Sequence, residues 1–201
     1  MDHYENALTV SQRASRIVDE FYSLHAAITV ATDPRAATLA PPILPGQVVP
    51  THTVRGLDQS EHTYHFLHYL AMADHREEFI ADFQRTWMAG ALLGLGDELE
   101  GHDYFDHAPE LELVYHIRNG IAHGNRFRLT RPGLTRLAEH PAHNNDAWVH
   151  QLDLKITPDL DGTTVLFAFI GPGDVLDLLQ AISIYLYRMS NGDPLRPEPP
   201  P

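Results

Sequence analysis

The stretch Leu111-Glu112-Leu113-Val114-Tyr115-His116-Ile117-Arg118-Asn119-Gly120-Ile121-Ala122-His123-Gly124 decides the fold class. At about 100° per residue on a helical wheel, Glu112, His116, Asn119 and His123 fall within roughly 60° of one another. Leu111, Val114, Ile117, Ile121 and Ala122 lie on the other side, so the segment reads as an amphipathic helix with one face in a core. Pro109 suits its first turn, where a missing N–H costs nothing. Gly124 suits the position just past its end. The polar stripe carries imidazoles, a carboxylate and an amide, groups that do chemistry as well as face water.

The same periodicity recurs on either side. Ala7, Val10, Ala14, Ile17, Val18, Phe21, Leu24 and Ile28 fall three and four apart, predicting a helix from about Tyr4 to Thr32 that Asp33-Pro34 ends. A proline-rich loop over 34–57 follows, long for a compact domain. Ser60 is a candidate N-cap for a helix to about Ala73, and Asp74 with Glu77 resembles a capping box opening another to about Leu99. One long helix bent near Asp74 fits equally well. Trp148–Ile156 and Thr163–Ile170 read as strands joined at Asp161-Gly162, predicting an antiparallel hairpin over 148–170. Asp174 is a candidate cap for a last helix from Val175 to about Met189, stopped by Asn191-Gly192. The expectation is a mainly α protein: an up-and-down bundle of four to five helices over 1–193 with one inserted β-hairpin, then a disordered tail at 194–201.

Composition narrows the function. The 201 residues include no cysteine, which removes thiolate nucleophiles, disulfides and zinc–cysteine sites. No run approaches the apolar length of a membrane span, and the first residues do not resemble a signal peptide, so a cytoplasmic protein that avoids membranes is expected. A formal charge of -13 argues against a general nucleic-acid coat. The distribution is uneven, however. Arg118, Arg126, Arg128, Arg131 and Arg136 are five of the chain's 14 lysines and arginines, in a window without Asp or Glu. Such a window suits a phosphate-binding surface; a solvated arginine loop, or a patch docking an acidic partner, fits it as well.

The string Arg118-Asn119-Gly120-Ile121-Ala122-His123 resembles the Arg, four residues, His motif of the HEPN superfamily, including the Asn that often follows the Arg. That superfamily places the motif late in a helix of an α-bundle. The resemblance implies a metal-independent endoribonuclease of toxin–antitoxin or phage-defence type, with RNA as substrate, no cofactor and 2′,3′-cyclic phosphate products. By the same resemblance His123 is the general acid/base, Arg118 binds or neutralises the scissile phosphate, and Asn119 orients the phosphate or the histidine. His116, Asn125, Arg126, Arg128 and Arg131 are then the candidate substrate-binding residues. The family usually acts as a homodimer with a composite cleft, under the control of an antitoxin or regulatory protein. Some members keep the fold without catalysis, so a nucleic-acid or protein binding module is the alternative.

Two features stand apart from the motif pattern. Arg118 and His123 lie about 140° apart on an ideal helix, so they do not share a face unless a second subunit, a wrapped Arg side chain or a loosened helix end intervenes. Asn125 occupies the position where some HEPN toxins carry a tyrosine that a partner nucleotidyltransferase adenylylates. An Arg and a His near a helix C-terminus also complement the helix dipole without any catalytic role. His62, His65 and His68 recur every three residues, and His102, Asp103, Asp106 and His107 cluster between helices; both sets read as polar surface, and no metal site is expected.

Overall fold

The computed structural model describes residues 3–36, 51–72 and 76–196. Among the described residues there are six α-helices: α1 (His3–Ala31), α2 (Phe66–Met72), α3 (Arg76–Gly101), α4 (Pro109–Ala122), α5 (Arg131–Glu139) and α6 (Pro172–Asn191). One antiparallel hairpin, β1 (Thr51–Arg55) with β2 (Glu61–His65), is inserted among them. The protein is therefore mainly helical, a bundle with one small hairpin. No helix among the described residues is long and apolar enough to cross a membrane.

The chain divides into two compact units: the first takes residues up to Phe21 and from Gln84 onward, the second Tyr22–Phe83. Both α1 and α3 contribute to both units. Ala7, Val10, Ala14, Ile17, Val18 and Phe21 of α1 are buried, as are Met88, Ala91, Leu92, Leu95 and Leu99 of α3; beyond Phe21 on α1, Leu24 of the same apolar stripe is 46% exposed and Ile28 is buried. In the second unit, β1 and β2 pair in register from Thr51 with His65 to Arg55 with Glu61. Gly56 N donates to Ser60 O at 2.8 Å to close the turn.

The first unit takes in α4, α5, α6 and parts of α1 and α3. Ser11 and Ser183 exchange hydrogen bonds between α1 and α6, each hydroxyl donating to the other's carbonyl at 2.7 and 3.0 Å. Phe21 of α1 meets Trp87 of α3 with ring centroids 4.2 Å apart. Arg118 joins α4 to α3, and Leu111, Leu113, Val114 and Ile117 of α4 are buried with Leu178, Leu179, Ile182 and Leu186 of α6. Each such side chain contributes roughly 1.5–3 kcal/mol by leaving water. The helix ends follow their sequence signals: Pro109 opens α4, Gly124 past its end has φ +82 and Gly192 after α6 has φ +70. Asp174 accepts from Gly171 N at 2.8 Å, so it acts one turn inside α6, which starts at Pro172.

The hairpin lies elsewhere than expected. Residues 51–65, read as loop and helix start, are rich in β-branched and aromatic side chains (Thr51, Thr53, Val54, Thr63, Tyr64), which fit a pleated strand better. Residues 148–170 form no hairpin. Asp161-Gly162 is a turn, with Gly162 at φ +77, but the chain leaving it pairs with residues 125–127. Phe127 N donates to Thr163 O at 2.9 Å, and Gly162 N donates to Phe127 O at 2.8 Å. The chain entering it pairs with 142–144 through Ile156 N to Ala142 O, 2.9 Å. Because Phe167 takes φ +69, Val165 is buried and Phe167 is 43% exposed, which breaks the alternation that suggested a strand. His62 and His65 sit on β2 and His68 on α2, so these three do not share a helix. Asp74 of the expected capping box, and Pro41, Pro42, Pro45 and Pro50 of the expected loop, lie outside the described residues.

The expected disordered tail is anchored at its start. Arg196 grips Glu110 of α4 through two hydrogen bonds of 2.8 Å, and its guanidinium lies over the Tyr185 ring at 5.3 Å. Glu110 is fully buried, so it needs that counter-charge. Residues 197–201 lie outside the described residues. Arg196→Ala is expected to lower unfolding free energy by about 2 kcal/mol, since it strands a buried carboxylate while the arginine itself is part-exposed. Glu110→Gln in the same chain is expected to recover part of the loss. Chemical denaturation of the three variants checks both; a single Arg196→Ala variant as stable as the parent contradicts the anchor.

Candidate functional site

The polar stripe of α4 is buried at Glu112 and His116 and opens to solvent only at its His123 end. It faces the loop and helix that follow it. Tyr115, His116, Asn119 and His123 line one wall of a cavity of about 310 Å³ whose other wall is Arg128, Leu129, Thr130, Pro132 and Gly133. Segment 128–133, for which the sequence suggests no element, leads into α5, with Thr130 preceding the helix and its carbonyl accepting from Leu134 N at 2.9 Å. Thr130 followed by Pro132 in the first turn was the available signal for that helix. Its shortness and lack of any buried residue left the apolar pattern too weak to read.

A buried ion pair fixes α5 against α4. Glu112, 1% exposed, receives Arg136 Nε at 2.6 Å and Arg136 Nη2 at 2.7 Å, a bidentate fork. The same guanidinium lies over the Tyr115 ring at 4.4 Å. One turn further along α4, His116 is 4% exposed and places Nε2 3.4 Å from Glu112 Oε1. That separation is short enough for attraction between charges, but its direction leaves His116 Nε2 without a true hydrogen bond. Burial by itself pushes the Glu112 carboxyl up; the attraction of His116 and the twin bonds from Arg136 outweigh it and hold the group below the usual carboxylate value of 4.5.

Arg118 does not line this cavity, although its Nη1 donates to Asn119 Oδ1 at 3.5 Å. Its stem packs on Gly96 of α3, where an added Cβ would lie 2.8 Å from Arg118 Cγ. Its guanidinium pairs with Asp97 and, at 3.0 Å, with Glu100. The bond it donates to Asp97, opposed by burial and helped by the charges of Glu100 and Asp97, raises its pKa above the ordinary arginine value. The helical-wheel conflict between Arg118 and His123 is thus real in the single chain: one residue faces α3, the other the cavity.

The remaining sequence-derived residues divide sharply. His116, Asn119, His123 and Arg128 come together in the cavity. Asn125, at φ +62, spends its side chain on Leu166 N at 2.7 Å, while its carbonyl accepts from Val165 N at 3.1 Å. Arg126 donates to Gly162 O at 2.8 Å. Both hold the 162–166 segment against the end of α4, where Gly120 permits the approach: a Cβ there would meet Val165 Cγ2 at 2.6 Å. Arg131 is exposed at the start of α5. Neither Arg128 nor Arg131 forms an ion pair among the described residues. The structure therefore spends Arg118, Arg126 and Arg136 of the arginine window on its own carboxylates and carbonyls and leaves Arg128 for the cavity.

Among the described residues no group of three or more His, Asp or Glu side chains converges as a metal ion would require. No protein-family model matches the chain, and no curated protein or solved structure matches it significantly.

The Glu112 pairing has a pH signature. Its folded pKa is depressed, so the stability it confers is fully present above about 4.5 and is lost as pH falls through the lower folded value. Thermal melting between pH 7 and pH 3 is expected to fall more steeply below pH 4.5 for the wild type than for Glu112→Gln. Parallel curves for the two would show that Glu112 is not held as its contacts indicate.

Proposed function

We propose that the chain is a HEPN-like, metal-independent endoribonuclease, of the toxin–antitoxin or phage-defence type, acting in the cytoplasm on RNA. The observation that carries this reading is the convergence of His116, Asn119, His123 and Arg128 on one polar cavity at the C-terminal end of α4. These are the groups that phosphodiester cleavage needs. An imidazole exchanges protons near neutral pH, an amide donates a hydrogen bond to a phosphate oxygen, and a guanidinium neutralises the charge that builds on it.

In this reading His123 is the general acid/base, Asn119 orients the phosphate, and Arg128 supplies the cation within the same chain. The 2′-hydroxyl oxygen attacks phosphorus, the bond from phosphorus to the 5′-oxygen breaks, and the products carry 2′,3′-cyclic phosphate and 5′-hydroxyl ends. The motif Arg118 anchors α4 to α3 in the chain. A homodimer belongs to the proposal as the arrangement in which a second copy's arginine reaches the same cleft, with an antitoxin or regulatory protein as the restraining partner.

One observation favours a second reading. Arg118 is held by two carboxylates, as a residue kept for the fold would be. In that case the chain is a non-catalytic HEPN-like module that uses the cavity to bind RNA or a protein.

Incubation of a mixed RNA pool in EDTA separates the two. The ribonuclease reading predicts cyclic-phosphate ends from the wild type, a loss of roughly 10²–10⁴-fold in His123→Ala and a smaller loss in Arg128→Ala. RNA retained but left intact by the wild type supports the binding module. Equal cutting by wild type and His123→Ala contradicts the assigned site.

A further inference from the structure

Resting on the ribonuclease reading, we infer that His116 is a second proton-transfer residue, so that one chain carries both the acid and the base of the cleavage. His116 is a buried side chain on the cavity wall whose Nε2 has no hydrogen-bond partner. Buried polar atoms are nearly always partnered, and a leucine would fill the same place on α4 without that cost. That Nε2 has a carboxylate beside it: Glu112, itself immobilised by the Arg136 fork, lies 3.4 Å from it, so Nδ1 is the ring nitrogen left to exchange a proton with substrate. A carboxylate behind an imidazole fixes the ring's orientation and tautomer and stabilises the imidazolium when it forms.

The spacing suits the task. His116 of α4 and His123, the residue that caps its end, are seven residues apart on the same side, a helical rise of about 10 Å. Two proton-transfer groups flanking an in-line phosphoryl transfer stand roughly 9 Å apart, once two hydrogen bonds of about 2.8 Å are included. Asn119 lies between them on the same stripe, and Arg128 faces them across the cavity. His123, exposed at the helix end, takes the proton from the 2′-hydroxyl as its oxygen bonds to phosphorus. His116, the buried member, gives its proton to the 5′-oxygen as the bond from phosphorus to that oxygen breaks. One proton enters the site and one leaves it, and no redox change occurs. Glu112 is a positioning residue, since it acts through His116.

The test compares an RNA oligonucleotide with the same strand carrying one 5′-bridging sulfur at the scissile linkage. A thiolate leaves without being protonated, so loss of the acid is forgiven on the sulfur substrate while loss of the base is not. His116→Ala is expected to cut ordinary RNA at least 100-fold more slowly than wild type and the sulfur strand within a few-fold of it. His123→Ala is expected to be slow on both. The ratio between substrates is internal to each variant, so reduced stability does not mimic the rescue; His116→Gln, closer in volume, is read the same way if the alanine variant does not fold. His116→Ala cutting ordinary RNA as fast as wild type, or equally slow on both strands, overturns this inference and leaves the ribonuclease reading standing. A wild type inert on both strands overturns the two together.

Discussion

A carboxylate inside a protein must have its counter-charge, and α4 carries two of them in its first turn. Glu110 is held by Arg196 from beyond the last helix, and Glu112 by Arg136 from α5. Removing either arginine leaves a charge where water does not reach, which costs far more than the pair itself gains. The rotation of α4 follows from this need. With Glu112 turned toward Arg136, the stripe that continues through His116, Asn119 and His123 must also face α5, and the apolar stripe must face the bundle.

The second wall of the cavity rests on the same interaction. No residue of α5 is buried, so apolar packing does little to hold it in place. The Arg136 fork on Glu112 and the Arg136 guanidinium over Tyr115 fix its distance from α4. That distance in turn sets the width of the space between His116 and His123 on one side and Arg128 and Thr130 on the other. At the far end, Asn125 and Arg126 pin the 162–166 segment beneath the helix terminus, and Gly120 allows it to come close. The site therefore uses a rigid helix for its histidines and charge pairing for its opposite wall.

What the sequence made legible was whatever periodicity governs. The helices at the two ends of the chain, the limits of α4 and the common face of Glu112, His116, Asn119 and His123 all follow from three- and four-residue spacing. What it concealed depends on contacts distant along the chain. The turn at Asp161-Gly162 was visible, but its partner at 125–127 was not, because no local pattern tells a strand end which distant segment will meet it. The hairpin at 51–65 was hidden by the histidines and the serine, which read as helix surface and cap. Charge counting showed an arginine window at 118–136 but could not show that Asp97, Glu100 and Glu112 claim Arg118 and Arg136. Arg118, the first residue of the motif, faces α3 for that reason, and the wheel angle of about 140° was the one sign of it.

The central claim is that a phosphodiester is read by His116, Asn119, His123 and Arg128 in one chain. Nitrogen-detected NMR of the histidine side chains, titrated with a 2′-O-methyl dinucleotide that cannot be cleaved, tests it most directly. The account predicts saturable shifts at the rings of His116 and His123, with smaller changes at the Asn119 amide and the Arg128 guanidinium. Shifts confined to Arg118 and Arg131, or none at either histidine at saturating ligand, would contradict it.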